Sequence, residues 1–274
     1  MAILTVSRQV ASLGDEICAA LANKIGYRFI CRRDIEKRIV ELGFPAEKIA
    51  KYDERKPGFF ASLAKDRDEY LDCLQTAILE AASDNNCILI GRGASIILKS
   101  LPNHISCRFI SEDSIRIKRL MAEKNWDEKA ALKRVAESDA NRAGFYKSFF
   151  NFDIKDYSQF HLVLNSGLLD IDAITEIIAQ GLSRLITEEK EYAGMKLLDE
   201  LLICQRIVNM LVFDYRLNIN FLRTSIDGDR IMLHGVAESA AVVERALIIA
   251  SCELPQYKIE SAINVVQDFK AYPQ

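Results

Sequence analysis

The chain opens ILTVSRQVASLGDEICAALANKIG, and this run constrains the fold more than any other segment. Residues 2–6 are apolar and rich in β-branched side chains, which predicts a strand. Residues 7–14 are a polar loop. From Asp15 to residue 25 the apolar positions Ile17, Cys18, Leu21, Ala22 and Ile25 recur every three or four residues, giving a helix with one buried face, and Gly26 is placed to end it. Strand, loop and helix in this order start an α/β fold with a parallel sheet.

The same alternation continues. Strands are expected at residues 27–30, 87–90, 105–110 and 161–164. Helices are expected from Asp34 as cap to 42, over 62–84, 114–124 and 127–141, and from Asp170 as cap to 185, with an irregular segment at 51–60. Strands interleaved with helices predict a parallel sheet with helices on both faces. The charged run at 186–194 is poor in apolar residues, so a boundary is placed there: one domain at 1–187, a linker at 188–196 and a second domain at 197–270. The second reads α-β-β-α-β, a small α+β module with a hairpin turn at Asp227-Gly228.

Composition narrows the function classes. The total of 36 basic and 39 acidic residues gives a net charge of −3, which argues against a nucleic-acid partner. From Leu197 onward there are 7 basic and 10 acidic residues, which leaves 29 of each before it. A neutral first domain can still hold local arginine clusters suited to phosphate. Seven scattered cysteines without a CxxC predict buried, reduced thiols, and three dispersed histidines argue against a histidine-rich metal centre. The start lacks a secretory signal, and no run of about 18 uncharged apolar residues occurs, so the expectation is a cytoplasmic chain without a membrane span.

Candidate site residues lie where expected strands end. A phosphate loop works through backbone N–H groups and a helix N-terminus, and the loop at Ser7–Gly14, with Ser7, Arg8, Ser12 and Gly14, has that position. ILIGRGAS puts Arg92 between two glycines beyond an apolar strand, where its planar fork suits a phosphate. In ESDANRAGFY, Asp139 and Arg142 stand three apart and are expected to share a helix face.

Five fragments in order, SRQVASLGDEI, LIGRGASIIL, RFISEDSIRIKRL, ESDANRAGFY and LVLNSGLLDIDA, resemble the cytidylate-kinase-like family of P-loop nucleoside monophosphate kinases over residues 1–187. The resemblance implies transfer of the γ-phosphoryl group of ATP, with Mg²⁺, to a nucleoside monophosphate, CMP or dCMP foremost. It implies donor-phosphate contacts from Ser7, Arg8, Ser12 and Gly14. It implies an acceptor-phosphate contact from Arg92, and lid residues Arg116, Arg119, Asp139 and Arg142. The chain departs from the family pattern in the loop. Ala11 and Leu13 stand at glycine positions, Gly14 at the lysine, and Asp15-Glu16 at Gly-Thr; Arg8 or the lid arginines are the expected substitutes for the lysine. The alternative is a catalytically degenerate nucleotide sensor or interaction module. Residues 197–270 resemble a BON domain, which implies contacts with a ligand, a protein or a membrane surface, or self-association into a homo-oligomer.

Overall fold

The structure is a computed structural model and describes residues 2–49, 52 and 65–266. The chain divides into two compact units, Met1–Leu198 and Asp199–Gln274.

The first unit carries five parallel strands in the order β2-β3-β1-β4-β5: β1 (Ile3–Arg8), β2 (Arg28–Ile30), β3 (Cys87–Ile90), β4 (His104–Ile110) and β5 (Leu162–Asn165). Every residue of β3, and β1 through Ser7, is buried, as a sheet covered on both faces requires. One face packs against α1 (Gly14–Ile25) and α8 (Ile171–Leu185) through Leu4, Val6, Ile88, Ile90, Cys107 and Phe109. Ile17 and Leu21 of α1 are fully buried there, each stabilising by about 1.5–3 kcal/mol relative to exposure. Gly26, at φ 70, closes α1 in the left-handed conformation that an L side chain resists. Central β1 lies between β3 and β4, so the chain leaves it in both directions. That arrangement makes the carboxyl ends of β1, β3 and β4 the ligand-binding edge of such a sheet.

The other helices of this unit are α2 (Arg32–Glu41), α3 (Ala46–Ile49), α4 (Lys65–Ser83), α5 (Ala94–Ile97), α6 (Asp113–Lys124) and α7 (Glu128–Phe150). Of the two caps expected, one is observed and one differs in detail. Asp170 caps α8 by accepting from Ala173 N, as expected. Asp34 sits inside the first turn of α2 and accepts from Cys31 N at 2.8 Å, so Cys31 is the cap residue. Helix α7 runs nine residues beyond its expected end at 141, because Phe145, Tyr146 and Phe149 continue its buried face. Apart from Tyr52, the segment expected to be irregular and the start of the helix expected from 62 lie outside the described residues.

The linker expected at 188–196 is helical. It forms the first half of α9 (Glu188–Asn209), whose first turn carries Glu188, Glu189 and Glu191. Carboxylates there favour the positive helix end, which a count of apolar residues does not register. Gly194 packs against Asn103, whose Oδ1 would stand 2.0 Å from a Cβ at that position.

In the second unit, α9 ends in a π-helical turn, Met210–Asp214. Then follow β6 (Ile219–Asp227), β7 (Arg230–Ala237), α10 (Ala240–Glu253) and β8 (Lys258–Val265). Strands β6 and β7 pair antiparallel through the turn at Gly228, and β7 and β8 pair parallel across α10. The αββαβ order is therefore observed. Among the described residues no helix is long and apolar enough to cross a membrane.

Candidate functional site

The loop between β1 and α1 holds two residues other than glycine in the left-handed region. Ala11 has φ 58 and Leu13 φ 57, both left-handed. Such a conformation costs an L-residue roughly 1–2 kcal/mol, so the surrounding contacts must impose it. The contacts are visible. Ser12, fully buried, donates its hydroxyl to Gln9 O at 2.9 Å and closes the loop on itself. Gln9 Oε1 accepts from Ser111 N at 2.9 Å. Arg116 Nε donates to Val10 O at 3.0 Å, and Arg119 donates to Ala11 O at 3.1 Å and to Ser166 O at 2.7 Å. The Leu13 side chain packs against the sheet core. The loop thus hands two left-handed residues to the N-terminus of α1, where Asp15 and Glu16 are exposed.

Arg116 and Arg119 lie on α6, the helix expected at 114–124. Arg116 is fully buried and forms a bidentate pair with Asp139 at 2.9 and 2.8 Å, with a further bond to Asp113 at 2.9 Å. Asp139 and Arg142 both lie on α7; the arginine that Asp139 orients is Arg116 of α6, and Arg142 donates to Ser138 Oγ at 2.7 Å. The physical reason is burial: a guanidinium removed from water takes a carboxylate in fork-to-fork geometry.

Beyond β3, Gly91, Arg92 and Gly93 are all left-handed, at φ 82, 55 and 74. The turn buries Arg92, only 1% exposed, against aromatic rings. Arg92 donates to Tyr52 O at 2.9 Å and to the Tyr70 hydroxyl at 3.1 Å, and pairs with Glu36, which also pairs with Arg32 at 2.8 Å. Tyr52 and Tyr70 stack at 4.8 Å, with Phe44 and Phe149 edge-on to Tyr52. Burial, then the charges of Arg32 and Arg8, lower the Arg92 pKa to about 9. The charges of Arg32 and Arg8 both act on Arg92 at the carboxyl edge of the sheet, and Glu36 pairs with Arg92 and with Arg32.

Arg108 belongs beside this edge, although its sequence pattern carried no assigned role. It lies inside β4, is 5% exposed and donates to Ser7 Oγ at 2.8 Å; among the described residues its buried Nε has no hydrogen-bond partner. The Phe160 and Tyr157 rings flank the guanidinium at 5.6 and 5.8 Å. The available signal was an arginine at an inward position of the apolar run ISCRFI. Ser7 and Arg8 close β1 on opposite sides: Ser7 toward Arg108, and Arg8 over Gly14.

The donor set suits phosphate oxygens: backbone N–H groups at a helix start, left-handed loop residues and clustered arginines. A resident metal is another matter. Among the described residues no group of three or more His, Cys, Asp or Glu side chains could hold one. Mg²⁺ fits here as an ion carried by a nucleotide's own oxygens and water.

Residues 3–168 match the model of the cytidylate kinase-like family. The cytidylate kinase of Methanocaldococcus jannaschii is 26% identical over 186 residues, covering 67% of this chain and 98% of that protein. The cytidylate kinase of Methanocorpusculum labreanum is 24% identical over 187 residues, 68% of this chain and 99% of that protein. A crystal structure of a protein from Eubacterium ventriosum superposes with a TM-score of 0.54 at 19% identity, covering 67% of this chain and 98% of that one. The family match lies within the first unit and does not extend into residues 199–274. With the family model matched over residues 3–168, more than half of its length, the chain belongs to the cytidylate kinase-like family.

Proposed function

We propose that the first unit is a nucleoside monophosphate kinase that moves the γ-phosphoryl group of ATP to CMP or dCMP. The observation that carries this is Arg92, held in a left-handed turn between Gly91 and Gly93 at the end of β3, with Arg8 ending β1 and Arg32 paired to the same Glu36 as Arg92. In the reaction, an oxygen of the acceptor phosphate bonds to the γ-phosphorus, and the bond to the β-γ bridging oxygen breaks, releasing ADP. The acceptor oxygen is already anionic, so no strong general base is needed; alignment and charge neutralisation carry the catalysis. Arg92 binds the acceptor phosphate. The donor phosphates lie over Ser12–Gly14 at the start of α1. Mg²⁺, arriving with ATP, neutralises the donor oxygens. Arg116, Arg119 and Asp139 hold the loop in shape.

Steady-state turnover of the purified chain with ATP, Mg²⁺ and CMP, dCMP, UMP or AMP tests the reading. CMP or dCMP is expected to be preferred. Turnover of no acceptor above a contaminant control refutes the kinase.

One observation favours a second reading, a nucleotide sensor without turnover. Residue 14 has no lysine side chain, and Arg116 and Arg119 donate to the loop's own carbonyls. Calorimetry separates the two, since ATP binding without turnover is the sensor's signature. For residues 199–274, the αββαβ order with Gly235 in β7 supports a BON-like contact module.

A further inference from the structure

Residue 14 lacks a side chain, and Arg8 fills the space that one would take. A Cβ built on Gly14 would lie 2.7 Å from Arg8 Cγ and 3.0 Å from Arg8 Cβ. Arg8 is the last residue of β1, so the strand sets the direction of its stem, and Cγ is the atom that a side chain at residue 14 would meet too closely. A side chain at residue 14 and Arg8 in this pose therefore exclude one another.

The other cations near the loop have different tasks. Arg116 and Arg119 approach it through the carbonyls of Val10 and Ala11. They fix its shape from the side of α6. Arg8 instead crosses the first residue of α1, where the helix N-terminus opens. It also lies within electrostatic reach of Arg92.

We propose that Arg8 supplies, from the end of β1, the cationic contact to the donor β- and γ-phosphates that lysine-bearing phosphate loops take from residue 14. The proposal rests on the kinase reading above. An arginine there offers a planar fork to two phosphate oxygens, where lysine offers one point charge. Moving the cation from the helix to the strand also explains why residue 14 is glycine: the arginine stem needs the room.

The test compares the wild-type chain with R8A, R8K and the double variant R8A/G14K. Readouts are kcat/KM for ATP, MgATP affinity by calorimetry, and thermal melting as a folding control. R8A is expected to lower kcat/KM by about 10²–10³-fold with melting unchanged, and R8K to recover about tenfold of that loss. R8A/G14K is expected to exceed R8A by tenfold or more, because removing the stem opens the space for a lysine on the helix. R8A within threefold of wild type in both kcat/KM and affinity overturns the proposal. So does a double variant no better than R8A. Should the wild type turn over no acceptor, the kinase reading fails and calorimetry alone judges Arg8. A tenfold weaker affinity in R8A then supports the assignment; equal affinity, or no ATP binding by the wild type, overturns it.

Discussion

Asp139→Asn isolates the buried pair that braces the loop. Arg116 is fully buried, and Asp139 meets it through two bonds at 2.9 and 2.8 Å. Removing one partner of a fully buried pair costs about 3–5 kcal/mol. Two features lower that figure. The Asp139 side chain is 35% exposed, and Asp113 keeps its own bond to Arg116. Asparagine also preserves shape and one acceptor, so the expected loss is about 2 kcal/mol. Trp126 is the chain's single tryptophan and stands between α6 and α7, the two helices that the pair joins. Its fluorescence during urea unfolding reports on this hairpin. With a denaturant slope of about 2 kcal/mol/M, the midpoint is expected to fall by about 1 M. Asp113→Asn is the internal control: that carboxylate is 67% exposed, so its removal is expected to shift the midpoint by about 0.2 M or less. A shift for Asp139→Asn no larger than that for Asp113→Asn refutes the assignment of the pair as the brace.

Arg92→Ala is expected to raise KM for the acceptor more than tenfold while leaving ATP affinity within threefold, with Arg92→Lys as the folding control; equal losses for both ligands contradict an acceptor role. His104 is buried and bonded to Thr5 at 2.7 Å, and burial, then the nearby His161, hold its pKa at about 3. The unfolded chain takes up a proton near pH 6.5 that the folded imidazole refuses until about pH 3. Stability is therefore complete above pH 6.5 and falls below it by up to about 1.4 kcal/mol per unit, or about 2 kcal/mol by pH 5. Urea midpoints of His104→Gln at pH 5 and 7 should show a smaller difference than wild type, and an unchanged difference sinks the attribution. Ala11→Val should lower stability by about 2 kcal/mol because a β-branched residue resists φ 58, whereas Ala11→Gly should stay within about 0.5 kcal/mol. Thermal melts of the two variants that coincide would show that the left-handed conformation is not held there.

The regular elements were legible because burial writes itself into periodicity. CILI at 87–90 could only be a covered strand, and Asp170 before an amphipathic run could only be a cap. The site was legible in position but not in wiring. Nothing local tells Asp139 to choose Arg116, 23 residues away, over Arg142 on its own helix; the choice depends on which guanidinium the fold buries. Ala11 and Leu13 give no sign in sequence of a left-handed backbone, since their conformation is imposed by contacts from β4 and α6. The acidic run from Glu188 looked like a linker because its helix-favouring charges carry no hydrophobic period. Arg108 was visible as a charge in an apolar strand, and only the fold shows that it faces Ser7.

A glycine-rich loop carries its shape as local freedom and can open by itself. Here the shape is held by Arg116 and Arg119 from α6 and by Ser111 beyond β4. Local opening is then a shared event. The amides of residues 9–14 should exchange with solvent deuterium together with those of the first turns of α6, as one cooperative block with one opening free energy. On this reading the loop moves together with its neighbouring helix, and access to the carboxyl edge of the sheet becomes a property of the α6–α7 hairpin.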